Sequence, residues 1–229
     1  MRTRLLALLA AALLLAGCHG GSDAKKADTS ELQKRLSAAR TIIDQAETVD
    51  VSLATPSLPD GVTGLLSATG QGNHTPAFKG KVKVVTGGST LSADVVSAGG
   101  TLKAKTSFAP IYLKIDPASL RAPDPAALLD AKNGVSQILE KTKSLKAGDK
   151  SRDGSDVLTS ITGTLPGTVV GTIIPSADES ATFAVKYRLT DDDELRDATI
   201  KGPFYPDGGD VTYTVKLATS DKPVTIKVP

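Results

Sequence analysis

Between residues 51 and 115 the chain alternates. Val82, Val84, Leu91, Ala93, Val95, Leu102, Ala104, Ile111 and Leu113 take every second place within their runs, and Lys81, Lys83, Ser92, Asp94, Lys103 and Lys105 fill the places between them. A period of two sends successive side chains to opposite faces of a strand. Clean alternation also excludes a parallel sheet covered on both sides, whose strands run continuously apolar. Gly87-Gly88 and Gly99-Gly100 separate the runs, as short turns between antiparallel neighbours do. The pattern predicts a meander with one wet face and one buried face.

The second half continues the pattern, with strands expected over 157–165, 169–174, 182–189, 195–200, 211–217 and 224–228. Phe183, Val185, Tyr187 and Leu189 point one way, and Lys186 and Arg188 the other. The count reaches nine to eleven strands, enough to curl strongly. Helical spacing occurs in three places. Leu32, Leu36, Ala39, Ile43 and Ala46 make an apolar stripe over residues 30–48, with Ser30 and Gln33 resembling a capping box. Pro123-Asp124-Pro125 opens a short helix carrying Leu128 and Leu129, with Asp124 as N-cap. Val135, Ile138, Leu139, Thr142 and Leu145 form a second short stripe.

Four Tyr, four Phe and no Trp among 229 residues leave the interior to Val, Leu, Ile, Ala and small polar groups. Such an interior can close tightly or leave space that rings would otherwise fill.

The N-terminus supplies an address. Arg2 and Arg4 precede an uncharged Leu/Ala block over 5–16, which ends in Leu15-Ala16-Gly17-Cys18. This is the layout of a secretory signal peptide, and the block is too short to span a hydrocarbon core of about 30 Å. The last four residues resemble the bacterial lipobox, in which the cysteine is lipidated and becomes the new N-terminus. Residues 1–17 are therefore expected to be the signal, residues 18–29 the lipidated Cys18 with a polar tether, and residues 30–229 a single domain. Fully extended, 19–29 reaches roughly 35–40 Å, enough to hold the domain clear of lipid headgroups. Cys18 is the sole cysteine, so no disulfide contributes and stability rests on packing.

Without Arg2 and Arg4 the chain carries 25 basic and 25 acidic residues. Nucleic-acid binding needs a concentrated basic face, and no such partner is expected. Catalytic patterns are missing too. One histidine, His19, lies in the tether and the other, His74, in a turn-like stretch where a solvated ring is expected. No Gly-x-Ser-x-Gly elbow and no phosphate-cradling glycine loop occur. Asp191-Asp192-Asp193-Glu194 lacks the alternate spacing of calcium ligands and reads as a solvated hairpin tip. No catalytic residue, metal site or cofactor is assigned.

The assembled parts resemble the LppX/LprG-type lipoproteins of mycobacteria and related actinobacteria. The telling segments are Asp116-Pro117-Ala118-Ser119-Leu120 with Pro123-Asp124 and the helix after them. The run from Leu195 through Gly202-Pro203-Phe204-Tyr205 and the closing stretch from Tyr213 to Val228 add to these. The resemblance implies an α+β fold: a strongly curved antiparallel sheet, a half-barrel, with helices over its concave face around an apolar cavity. It further implies a protein anchored on the extracytoplasmic face of the cell membrane that carries an acylated lipid or lipoglycan. On that basis Val82, Val84, Leu91, Ala93, Val95, Leu102, Ala104, Leu128, Leu129, Ile138, Leu139, Phe183 and Val185 are expected to line the cavity. Two other readings stay open: a non-carrier envelope scaffold or partner of a membrane transporter, and, ranked last, an enzyme acting on lipids or glycans.

Overall fold

Among the residues that the computed structural model describes, 28–117, 122–206 and 208–229, eleven strands form one antiparallel sheet. Cys18, the signal segment and most of the tether lie outside the described residues. The strands are β1 (Thr48–Ala54), β2 (Gly64–Asn73), β3 (Ala77–Thr86), β4 (Ser89–Ala98), β5 (Thr101–Thr106), β6 (Leu113–Ile115), β7 (Lys143–Asp153), β8 (Asp156–Pro166), β9 (Thr182–Leu189), β10 (Leu195–Gly202) and β11 (Val211–Ser220). Their spatial order is β6-β5-β4-β3-β2-β1-β11-β10-β9-β8-β7. The sheet is thus two meanders joined where β1 pairs with β11. It does not close, because β6 and β7 remain as edges.

Two hairpins show why the sequence pattern works. Gly87 and Gly88 have φ of 56° and 74°, and Gly99 and Gly100 have 57° and 72°. Positive φ at both central residues is the geometry whose twist matches the flanking strands. The edges are defended differently. β6 has three residues, while β7 carries Lys143, Lys146, Lys150 and Arg152 and two register shifts, devices that discourage pairing with another chain.

Helix α1 (Thr29–Gln45) buries Leu32, Leu36, Ala39 and Ile43 against the sheet. Two arginines hold its flanks. Arg35 donates to Asp193 at 2.5 Å and to the Thr190 carbonyl at 2.7 Å, tying the helix to the β9–β10 hairpin tip. Arg40 donates to Asp44 at 3.0 Å, to the Ala131 carbonyl at 3.3 Å and to Glu140.

Several local expectations give way to tertiary structure. The cap of α1 is Asp28, whose carboxylate accepts from the Ser30 N–H at 3.0 Å; an anion there also suits the helix dipole, and Ser30 is already helical. The stretch after Pro125 forms a 3-10 turn over Ala127–Leu129, and the Asp124 carboxylate ahead of it accepts from both the Ala126 N–H and the Ser97 hydroxyl. The next stripe is a second 3-10 turn (Val135–Gln137) and helix α2 (Ile138–Lys141). It stops at Thr142, whose hydroxyl bonds the Ile138 carbonyl at 2.7 Å and the Tyr187 hydroxyl at 2.8 Å, so Leu145 belongs to β7. Residues 169–174 are not a strand: α3 (Gly167–Gly171) occupies that place and buries Val170. Residues 224–228 form no regular element, with Val224, Ile226 and Val228 half-buried. They pair with no strand, since β11 already has β1 and β10 as neighbours.

Candidate functional site

The cross-strand register defines the inner face. Val51, Gly70, Gly80, Val95, Ala104 and Leu113 lie in one row across β1 to β6. Leu53, Ala68, Val82 and Ala93 lie in the next, and Val84 faces Leu91 beyond them. The chain leaves the sheet at β6 and must re-enter it at the opposite edge, β7. The described part of that connection, 122–142, passes over the inner face together with α1.

Missing side chains let this cover approach closely. Gly72 has no Cβ, and a methyl of Leu129 occupies that space. A Cβ on Gly70 would stand 2.6 Å from the Phe78 ring and one on Gly80 2.8 Å, so the tip of the ring occupies the space over the Gly70–Gly80 pair. Polar ties then fix the cover to the sheet. The buried Ser97 hydroxyl donates to Asp124 at 2.6 Å. His74, on the β2–β3 turn, sets Nδ1 at 2.6 Å from the Leu129 carbonyl and Nε2 at 2.8 Å from the Ile43 carbonyl. It joins the connection to α1, so it is neither a freely solvated ring nor placed as a base.

Burial decays in one direction along every strand of this half. On β3, Phe78 is buried while Val82 and Val84 are half-buried; on β4, Val95 is buried while Ala93 and Leu91 are half-buried. On β5 Leu102, 9% exposed, gives way to half-buried Ala104, and on β6 half-buried Ile115 gives way to Leu113 at 47%. The inner face is thus covered at one end and becomes an apolar trough toward the other.

The thirteen expected lining residues divide accordingly. Val82, Val84, Leu91, Ala93, Ala104 and Leu128 are half-buried; Val95, Leu102, Leu129, Ile138, Leu139, Phe183 and Val185 are buried in the covered core. Phe183 belongs to an aromatic corner, with its ring centroid 5.0 Å from that of Phe204, which stands 5.0 Å from Tyr213. Four of the eight rings, Phe183, Phe204, Tyr205 and Tyr213, gather here, and beyond Phe78 the trough rows of β3 to β5 carry aliphatic groups. Half-buried Val51, Leu53 and Leu217 extend it across β1 and β11. Their alternation was visible in the sequence, but their membership of the same rows depends on the β1–β11 pairing.

Beyond the end of β1 a tyrosine pair replaces the missing strand. The Leu65 N–H donates to Tyr205 at 3.2 Å, the Tyr205 and Tyr213 hydroxyls are 2.7 Å apart, and Tyr213 donates to the Leu65 carbonyl. Burial pushes the Tyr213 phenol well above its usual range, and does the same to Tyr187. Both are neutral hydrogen-bonding groups at ordinary pH.

The outer face is chemically different. A cleft of about 820 Å³ there is lined by Asp50, Gln71, Lys79, Lys81, Asp94 and Lys105 among others. Lys81 donates to Asp94 at 2.6 Å, which holds the carboxyl below its usual range. Charged walls of this kind do not suit hydrocarbon. Among the described residues no cluster of His, Cys, Asp or Glu is placed to hold a metal, and no helix is long and apolar enough to cross a membrane.

Comparison with known proteins agrees with this architecture. The crystal structure of LprF from Mycobacterium bovis superposes with a TM-score of 0.68 at 17% identity, covering 88% of this chain and 98% of that one. The lipoprotein LppX of Mycobacterium tuberculosis gives 0.62 at 18% identity, covering 87% and 100%. A search of curated protein sequences finds no match. The model of the LppX_LprAFG lipoprotein family matches residues 31–226, and the chain belongs to that family.

Proposed function

We propose that this protein binds an acylated lipid or lipoglycan along the inner face of its half-barrel and carries it across the cell envelope, while a lipidated Cys18 keeps the domain at the extracytoplasmic face of the cell membrane. The observation that carries the reading is the one-directional loss of cover along β3 to β6, which leaves Val82, Val84, Leu91, Ala93 and Ala104 half-buried in a continuous aliphatic strip.

Energetics explain why such a strip is useful. Each methylene moved from water to an apolar environment contributes about 0.8 kcal/mol, so a diacyl lipid with some 30 methylenes meets a barrier on the order of 20 kcal/mol on leaving a membrane unaided. A trough of branched aliphatic side chains lowers that barrier by replacing bilayer contacts during transit. Such a role needs binding and release, with no bond made or broken.

The test is native mass spectrometry of the full-length protein purified from a mycobacterial host, followed by solvent extraction and lipid analysis. Stoichiometric recovery of an acylated lipid supports the reading. Recovery of empty protein alone, with a crystal structure whose inner strip is fully covered by the protein's own side chains, overturns it.

A further inference from the structure

Among the described residues, the large apolar side chains left exposed are Phe108, Ile111 and Leu113, at 87%, 67% and 47%. All three fall within six residues on the β5–β6 hairpin, at the uncovered end of the inner face. Scattered surface hydrophobics need no explanation, but a cluster on one tip does. The tip is also held in shape: the Thr106 N–H donates to the Ala109 carbonyl at 3.1 Å, and the Thr106 hydroxyl accepts from the Ala109 N–H at 3.1 Å. A bonded turn displays the phenyl ring outward instead of letting it fold back into the core.

The surrounding charge is one-sided. Residues 77–115 contain six lysines and one acidic residue, Asp94, which is already paired with Lys81 and Lys105. Lys103, whose ammonium donates to the Pro229 carbonyl, and Lys114 face each other across β5 and β6, Lys83 is exposed on β3, and Lys105 lies 5.1 Å from the centre of the Tyr112 ring. Apolar tips flanked by an aromatic hydroxyl and lysines form the amphipathic arrangement that settles into a headgroup–acyl boundary, where the rings enter hydrocarbon and the ammonium groups meet anionic lipid.

We infer that the β5–β6 hairpin is a membrane-docking tip that inserts Phe108 and Ile111 into an anionic lipid surface and presents the open end of the inner face to the bilayer. This surface is separate from the cargo reading and does not depend on it, since an empty protein would dock equally well.

The absence of native tryptophan permits a direct test. Full-length protein carrying Phe108→Trp is mixed with vesicles of phosphatidylglycerol and phosphatidylcholine containing brominated acyl chains, beside a Ser155→Trp control on the distant β7–β8 turn. The expected result is blue-shifted emission quenched by bromine for Phe108→Trp, and unquenched, water-like emission for Ser155→Trp. Replacing Lys83 or Lys114 by Gln should weaken vesicle binding of a Cys18→Ala chain about fivefold each. Water-like, unquenched Phe108→Trp emission on vesicles that do carry the protein overturns the inference. So does a concentration-dependent blue shift without vesicles, which would assign the tip to a second copy of the chain.

Discussion

Ala93→Trp puts the trough to its strictest test. Ala93 stands half-buried on the inner face, opposite Val82 on β3 and Thr106 on β5. A tryptophan side chain can bury about 150–250 Å², equivalent to about 4–6 kcal/mol of apolar coverage at about 25 cal/mol/Å². Because the position is only half enclosed, about half of that is realised, so the indole supplies about 2–3 kcal/mol of contact that an acyl chain would otherwise make. Cargo loading should weaken about 30- to 150-fold, with no loss of stability because the ring adds apolar burial in a half-open position. Ser92→Trp is the matched control: one residue away, exposed, and on the opposite face. The assay is displacement of a fluorescent fatty-acyl probe, with the introduced indole as a second reporter. Equal probe affinity in the two variants would refute the assignment of cargo to the inner face.

Tyr213→Phe keeps the edge contact with Phe204 but leaves the Leu65 carbonyl and the Tyr205 hydroxyl short of a partner, and should lower unfolding stability by about 1–3 kcal/mol in denaturant titrations. The Tyr205→Phe, Tyr213→Phe double variant should cost less than the sum of the two, since they share one hydrogen-bond cycle. His74→Ala should release the Ile43 and Leu129 carbonyls, speeding amide hydrogen exchange in 122–131 and at the end of α1 while β8 to β10 stay protected; uniform acceleration would count against a local clasp. Burial raises the Tyr187 and Tyr213 phenols above the ordinary 10.0, so the unfolded chain ionises first, and the stability these two contribute is complete below about pH 10 and is lost as pH rises further. Phenolate absorbance from both residues should appear only together with loss of the circular dichroism signal, and full phenol titration in the folded state would contradict this. Cys18→Ala should leave the fold intact and leave only salt-washable membrane attachment or block its processing; attachment as wash-resistant as that of the unchanged chain on cell fractionation would remove the lipobox reading.

How much of this could be read in advance depended on the range of the interactions. Alternation at Val82/Val84 and Leu91/Ala93/Val95 fixes the face of each residue locally, and paired glycines fix the turns, so strands β2 to β5 could be read directly. The short helical elements could not. Thr142 ends α2 by bonding Tyr187, 45 residues away in sequence, and Asp124 spends part of its capping capacity on Ser97, 27 residues away. The β-branched run at 169–174 resembles a strand because periodicity cannot separate a short buried helix from one. In the candidate site, the identity of the inner-face residues was legible but their degree of cover was not. Val82 and Val95 look alike in sequence, and only the path of the connection over the sheet distinguishes a half-open position from a closed one.

That path follows from topology. A meander that grows outward from β1 to β6 and resumes at β7 obliges the chain to cross the whole sheet once. By crossing on the inner side, the connection becomes a cover without any added domain. Ile138 and Leu139 anchor its later part in the core, whereas the stretch 122–131 buries only Ala126 and Leu129 and is otherwise tied by polar contacts: Ser97 to Asp124, His74 to the Leu129 carbonyl, and Arg40 to the Ala131 carbonyl. Each neutral bond of this kind contributes about 0.5–1.5 kcal/mol net, and those to charged groups about 1.5–3 kcal/mol. The far half of the sheet is held instead by the fully buried Leu158, Ile161, Leu165, Phe183, Tyr187 and Leu189, whose individual loss costs about 2–5 kcal/mol. Releasing 122–131, which exposes Leu129 as its one large buried side chain, therefore requires less free energy than disturbing the six of β8 and β9. The fold thus pairs a rigid wall, β8 and β9, with a cover whose first stretch is the less firmly held of the two.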